Sequence, residues 1–532
     1  MASGSEGLPF YENKLQSFTL DKRTLLETLK DMRAAIRQGI EVIEASHPSP
    51  SPREEKAFGT ICDGHLGIGL TYLRLEYQSA YLKADDDENP LPNFRKLAHA
   101  RINPHRLDPD MQPGRPSPVV SPSLGAAVMR IIAHSPSPHF NPGLDAPKHL
   151  EKGDVEELRD IVQIALQQSY AVPFRGHSMG GDEVMTGRTG LLWSMSNIQR
   201  HVFDTVTRRE LDPIFEEMPK LVDAIMDAGR VGAEEYRAKN GDANALPLMW
   251  LWFDGNYGLG GMHGMTGILA ILLTIINDSP AGSTTRSYLP QIARTIIALS
   301  KLCISLNGHL PMSIPELPSS AARASPLVQV CHGTPGLLYL LACARNTSEF
   351  VKTYWAPECD EAIRLGSERV WVEGLLIKGG GLCHGIAGNA WPWLVLHDAF
   401  EDGTDAISLS GDALTSAEGA GTAEKETRGK PGDDFLSRAL AFLRQATKVQ
   451  PFNTKPDEHR MPDKAYGLYQ GLSGTICAWA ETCVVLVACL RKLDLHEQSG
   501  ERNWQEDEVF KTHSLHRLGF PTLGGTRVTG LL

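Results

Sequence analysis

The sequence is short of positive charge, of long apolar runs and of cysteine. Its 52 Lys and Arg are outnumbered by 64 Asp and Glu, for a net charge of −12. No basic cluster overrides that balance. Nucleic acid is excluded as the main partner, because a phosphate backbone needs a basic face. The opening MASGSEGLPF places no basic residues ahead of an apolar run, so no secretory leader is expected. Neither a Met-Gly start nor a cysteine near VTGLL offers a lipid attachment point. The longest apolar stretches, Ile268–Ile276 and Cys477–Leu490, are too short to span a bilayer or carry a charge, Glu481. We expect no transmembrane helix, with peripheral membrane association left open. The nine cysteines are scattered and mostly sit in apolar segments. Without a leader they read as reduced thiols of a cytoplasmic protein.

What is present is a repeat. Gly-x-x-Gly opens an apolar, helix-like run at Gly64–Gly67, Gly187–Gly190, Gly264–Gly267, Gly333–Gly336, Gly385–Gly388 and Gly471–Gly474. A degenerate copy at Pro122–Gly125 makes seven. The second glycines recur at intervals of 52 to 86 residues, enough for two helices and their loops. Candidate second helices are 148–169, 208–228, 287–306, 358–371 and 434–448. Leu25, Leu26, Leu29, Met32, Ile36, Ile40 and Ile43 mark a further amphipathic helix. The glycine-led helices are apolar on most sides, as an inner layer would be. The pattern predicts an all-α fold in which inner and outer helices alternate around a closed ring.

The 532 residues would allow two to four domains by length, but large barrels are single domains. We read residues 1–22 as an irregular segment and 23–532 as one domain. Mobile loops are expected near 103–121 and 135–147, which are rich in Pro with Ser and His. A third is expected near 401–430, rich in Gly, Ala, Thr and acidic residues.

The repeat brings two Cys-His-Gly triplets into register, VCHGTPG at Val330–Gly336 and GLCHGIAGN at Gly381–Asn389. Cys331, Cys383 and His384 make a three-ligand metal set with an open fourth position. Buried packing cysteines are the alternative. Adjacent side chains on a helix diverge, so Cys383 and His384 must both sit in the loop before the helix to share a metal. Two thiolates leave Zn²⁺ formally neutral, and an entering thiol would be deprotonated there and stay nucleophilic at neutral pH.

CHGTPG, GLCHGIAGN, the GMHG at Gly261–Gly264 and the sevenfold repeat together resemble the lanthionine synthetase C-like proteins, from about Cys62 to Leu490. That family includes bacterial lantibiotic cyclases and eukaryotic relatives. The resemblance implies an α/α toroid of seven inner and seven outer helices, with one zinc at one end of the ring held by Cys331, Cys383 and His384. His332 resembles the eukaryotic branch, where bacterial cyclases tend to carry tyrosine. A proton-transfer role and a loop-structural role are both open for it. By resemblance, His263 is the general acid/base, a role that suits a histidine pKa. Asp182, in GGDEVMTGRTG, matches an acidic residue of the family that could orient His263, or it caps the following helix. Arg188 could meet a substrate carboxylate, or form a surface ion pair. Lys378, in KGGGLC, matches a glutathione contact of the eukaryotic relatives. Lys464, followed by Ala465, stands where the family has arginine and proline, and it keeps the charge without the bidentate fork. For both lysines a solvated surface charge is the default.

These expectations converge on an enzyme. Zinc activates a thiol, most readily that of glutathione, for addition to a dehydroalanine or dehydrobutyrine residue of a protein or peptide. His263 then protonates the α-carbon. The rival is a non-catalytic zinc- and glutathione-binding adaptor in redox signalling, which needs the metal set but no acid/base pair. A glycoside hydrolase on the same ring would want paired carboxylates at the inner-helix mouths, where His and Cys stand instead.

Overall fold

Fourteen helices alternate between an outer and an inner ring in the computed structural model. It describes residues 8–83, 90–136, 150–278, 280–401, 431–453, 460–499 and 507–524. The outer helices are α1 (Lys22–Ser46), α3 (Phe94–Arg101), α5 (Lys152–Gln167), α7 (Met218–Asn240), α9 (Ala281–Ser305), α11 (Pro357–Glu373) and α13 (Pro431–Ala446). The inner helices are α2 (His65–Tyr77), α4 (Pro122–His134), α6 (Arg188–Arg200), α8 (Met265–Thr274), α10 (Thr334–Arg345), α12 (Ile386–Glu401) and α14 (Leu472–Ser499). Each inner helix packs on the next, and α14 packs back on α2, which closes the ring. The outer α1, first in the chain, covers α14, near its far end.

The two layers follow from their side chains. In α9 the buried residues Leu289, Ile292, Ala293, Ile296, Leu299 and Cys303 recur three and four apart, one stripe against the ring. In α8 every residue from Met265 to Leu273 is buried. The sequence-predicted helix over Leu25–Ile43 is α1, started by Asp21, whose carboxylate accepts from the Thr24 amide at 2.8 Å. Leu26 is the exception in its apolar set, being half-exposed. Helix α14 is long and apolar enough over Leu472–Glu497 to cross a membrane, but 94% of its most apolar window is buried inside the ring.

The second glycine of each repeat is a close-packing residue. A Cβ on Gly388 would lie 1.8 Å from the Leu382 carbonyl oxygen, one on Gly267 1.8 Å from that of Gly261, and one on Gly474 2.0 Å from that of Leu468. In each case the helix start is pressed against a carbonyl six residues back, and only glycine fits. The loops are then stitched to their neighbours by main-chain bonds. Gly261 N donates to Val330 O (2.9 Å), Cys331 N to Cys383 O (3.1 Å), Cys383 N to Tyr469 O (2.7 Å), Tyr469 N to Cys62 O (3.1 Å) and Cys62 N to Val119 O (3.0 Å). This belt runs around one mouth of the ring.

Three expectations need correction or refinement. The helix expected over 208–228 is two, Thr205–Phe215 and α7. Pro219 sits in the first turn of α7, where it lacks the amide needed to continue the earlier helix. The all-helical ring also carries a five-stranded antiparallel sheet in chain order. Its strands are β1 (Ala171–Phe174), β2 (His177–Gly180), β3 (Leu251–Phe253), β4 (Asn256–Gly258) and β5 (Ser313–Ile314). Two to four residues are too few for alternation to register. Residues 8–21 hold no helix, yet Tyr11 N donates to Leu375 O (2.8 Å) and Ile377 N to Pro9 O (3.2 Å), which ties them beside Lys378. The stretch 103–121 is non-helical, and its end is pinned by Ser117 N to Thr186 O at 3.1 Å. The loops expected near 135–147 and 401–430 lie largely outside the described residues.

Candidate metal centre

Cys331 and His332 lie in the loop before α10, and Cys383 and His384 in the loop before α12. The loop position lets neighbouring side chains converge, which a helix would forbid. The Sγ atoms of Cys331 and Cys383 and a ring nitrogen of His384 all lie within 4.8 Å of one another. Zn–S bonds near 2.3 Å put tetrahedral sulfur ligands roughly 3.8 Å apart, so this donor set closes on the ion with small side-chain movements. Both cysteines are buried and His384 is half-buried, leaving one side open. Gln329 Nε2 donates to Cys331 Sγ at 3.2 Å. Burial pushes the Cys331 thiol up, but hydrogen bonds from Cys383 and His384 outweigh it and hold Cys331 well below its ordinary value. Cys383, as donor to that thiolate, is held well above. The pair shares a proton that a soft cation would replace.

The residues four before the second glycine of each repeat form a second tier. In repeat order they are Asp63, Ser121, Thr186, His263, His332, His384 and Gln470. Only one of these is a carboxylate. His263 and His332 stack with centroids 5.1 Å apart and planes 17° from parallel. Trp252 of β3 lies 5.3 Å from His332 and 6.0 Å from His263. His263 Nδ1 is 3.1 Å from Glu183 Oε2, and Thr186 Oγ1 donates 2.8 Å to the other Glu183 oxygen. Burial pulls the His263 pKa down, but the Glu183 charge and hydrogen bond more than reverse it. Burial likewise raises Glu183, and the facing His263 brings it below its ordinary value. His332 goes the other way, pushed down to about 4 by burial. Its Nδ1 is buried with no hydrogen-bond partner among the described residues.

Asp182 does not face His263. Its two oxygens accept from Arg188 Nε (2.6 Å) and Nη2 (3.1 Å), with both side chains almost wholly buried. This corrects both roles expected from the sequence: the carboxylate that orients His263 is Glu183, and Arg188 has no exposed guanidinium to offer a substrate. Nor is the pair a surface one. It staples the loop to the start of α6. The sequence showed two adjacent carboxylates, and only the loop's path decides which one turns inward. Trp252 was also missed, since it lies outside the repeat. Lys378 is half-buried and its charge acts on Cys383, while Lys464 is exposed and acts on Cys62. Lys378 is thus near a metal donor, and Lys464 near Cys62, whose sulfur is outside the donor group.

A family model described as lanthionine synthetase C-like protein matches residues 148–482. A Danio rerio protein named glutathione S-transferase LANCL1 is 30% identical over 224 residues, 42% of this chain and 48% of that one. The LanC-like protein GCL1 of Arabidopsis thaliana is 27% identical over 298 residues, 56% of this chain and 54% of that one. The chain thus spans about half the length of the curated relatives it matches. The solved structure of nisin cyclase aligns with a TM-score of 0.42 at 13% identity, covering 85% of this chain and 93% of that one.

Proposed function

The chain belongs to the lanthionine synthetase C-like family, and from that premise we propose that it adds a thiol, that of glutathione, to dehydroalanine or dehydrobutyrine residues of a peptide or protein. The observation that carries this reading is the juxtaposition of the Cys331, Cys383 and His384 donors with the His263–Glu183 pair at one mouth of the ring.

Cys331, Cys383 and His384 would hold Zn²⁺, and a sulfur-rich donor set with an open side suits thiol chemistry. Bound there, the ion would lower the pKa of an incoming thiol so that it is a nucleophile at neutral pH. Lys378, near Cys383, and Lys464, near Cys62, would supply positive charge for the carboxylates of glutathione. The thiolate sulfur bonds to the β-carbon of the dehydro residue, and the double-bond electrons move onto the adjoining carbonyl as an enolate. His263 then gives a proton to the α-carbon. Its Nδ1 is engaged by Glu183, so Nε2 is the nitrogen that passes the proton. The proton released by the thiol restores His263, and atoms and charge balance. His332, neutral and stacked on His263, holds the imidazole plane.

The test uses the purified chain. Zinc content is measured, and the protein is incubated with glutathione and a dehydroalanine peptide. One zinc per chain with a glutathione adduct well above the uncatalysed rate is expected. Zinc without adduct would sink the enzyme reading in favour of an adaptor. Absence of zinc would sink both.

A further inference from the structure

A cavity of about 300 Å³ opens beneath the β1–β2 turn, lined by Asp110, Gln112, Arg115, Ser121, Phe174 and Arg175 among others. The guanidinium carbons of Arg115 and Arg175 lie 4.7 and 5.1 Å from the centre of the Phe174 ring. No carboxylate pairs with either arginine among the described residues. The one acid in the cavity, Asp110, is exposed, and its Oδ1 accepts from Gln112 Nε2 at 2.7 Å. Two like charges therefore share one aromatic ring without a counter-ion, in a chain whose net charge is −12. A ring face attracts a cation only weakly. An anion in the cavity that both arginines line would offset their like charge and accept charge-assisted hydrogen bonds from them.

The backbone points the same way. Phe174 pairs with His177, so Arg175 and Gly176 are the two central residues of a tight hairpin turn. Both have positive φ, 50° and 84°. Such turns favour Asn-Gly or Asp-Gly, and the chain follows that rule at its other hairpin, Asp254-Gly255. An arginine there adopts a conformation that a Cβ disfavours. Arg175 is exposed, and among the described residues its guanidinium has no ion-pair partner and lies against Phe174, so burial does not explain it.

The cavity sits on the same rim as the metal centre. Ser121 is the second-repeat counterpart of His332 and His384, and a ring of seven places the second repeat across from the fifth and sixth. The sheet joins the two places: β2 pairs with β3 through Met179 and Phe253, and the Trp252 ring of β3 lies against His332, its plane tilted by 49°. We infer that Arg115 and Arg175 bind a carboxylate or phosphate group carried by the acceptor peptide, across the mouth from its reacting residue. This rests on the reading that the acceptor is a peptide.

The test separates binding from chemistry. Fluorescent peptides of one sequence, with alanine at the reacting position, carry Glu, phosphoserine or Gln at a second position. Several spacings are scanned by anisotropy on the full chain. Tighter binding of the Glu or phosphoserine peptide than the Gln peptide is expected, and which of the two wins identifies the anion. Arg175→Gly should weaken that binding about tenfold, reduce its salt dependence, and leave the melting temperature unchanged or higher, because glycine suits the turn. Arg115→Gln should weaken it similarly. Equal binding of the three peptides at every spacing, or binding unaltered in both variants, overturns the proposal. Adduct formation by wild type is read separately. Its absence with anion-selective binding intact would sink the thiol-addition reading alone, and the converse would sink only the anion site.

Discussion

Three cysteines stand five residues before the second glycine of their repeats, and their neighbours give them different chemistry. Cys331 and Cys383 are followed by histidines, Cys62 by Asp63, whose carboxylate accepts from the Cys62 thiol at 3.1 Å. Burial and that carboxylate push the Cys62 thiol up, and among the described residues its sulfur is not one of the donors that converge with Cys331, Cys383 and His384. Cys383→Ala should therefore lose zinc and adduct formation together, whereas Cys62→Ala keeps about one zinc per chain, as metal analysis would show. The two adjacent carboxylates separate in the same way. Glu183→Gln should keep the melting temperature and lower the adduct rate by tenfold or more, out of the roughly 10²–10⁴ that general acid catalysis supplies. Asp182→Asn breaks a buried ion pair and should cost about 3 kcal/mol in urea unfolding. The residue types at the centre were legible in the sequence. Which acid faces His263 was not, because neighbours in a loop differ by a half-turn that spacing cannot show.

At the scale of elements, the glycine-led helix start is the unit on which the site is built. Gly388→Ala must push α12 off the Leu382 carbonyl, so we expect a loss of about 1–3 kcal/mol in unfolding free energy. Zinc content should fall too, since Cys383 and His384 sit on the displaced loop. The start of α2 carries a pH-sensitive element. His65 is buried, stacked 4.2 Å from His47, with its Nδ1 2.8 Å from Arg101 Nη1. Burial first, then the neighbouring His47 and Arg101 charges, push it down to about 3. An unfolded histidine takes up its proton near pH 6.5. Between those values the unfolded chain binds the extra proton, so stability falls as pH drops through that window. From pH 7 to about 5.5, wild type should lose roughly 1 kcal/mol more than His65→Gln in urea titrations. A parallel loss in both proteins would refute this. Most inner and outer helices were legible because apolar periodicity runs through ten or more residues, but the outer α3, only eight residues long, was not. The sheet was not, although Asp254-Gly255 is a hairpin signal that a search for turns would have caught.

For the whole molecule, ring closure joins the two ends of the repeat. Helix α1 buries Leu25, Leu29, Met32, Ile36, Ile40 and Ile43, mainly over α14. At about 1.5–3 kcal/mol per side chain, losing them outweighs a typical net stability of about 5–15 kcal/mol. Removing residues 1–46 should leave no cooperative unfolding transition, as calorimetry would show. By itself the sequence determined the seven repeats, the alternation of most inner and outer helices, and the candidate metal donors. Each of these is written in local spacing: glycines where a helix start meets a carbonyl, apolar periods, and Cys-His placed just before a helix. Only the tertiary structure decided the partners. It set Glu183 rather than Asp182 against His263, buried Arg188, brought Trp252 over His332 and drew Arg115 and Arg175 to Phe174. The pairings of Glu183 with His263, Trp252 with His332 and Arg115 with Phe174 join distant segments of the chain, and their geometry exists only once the chain has folded.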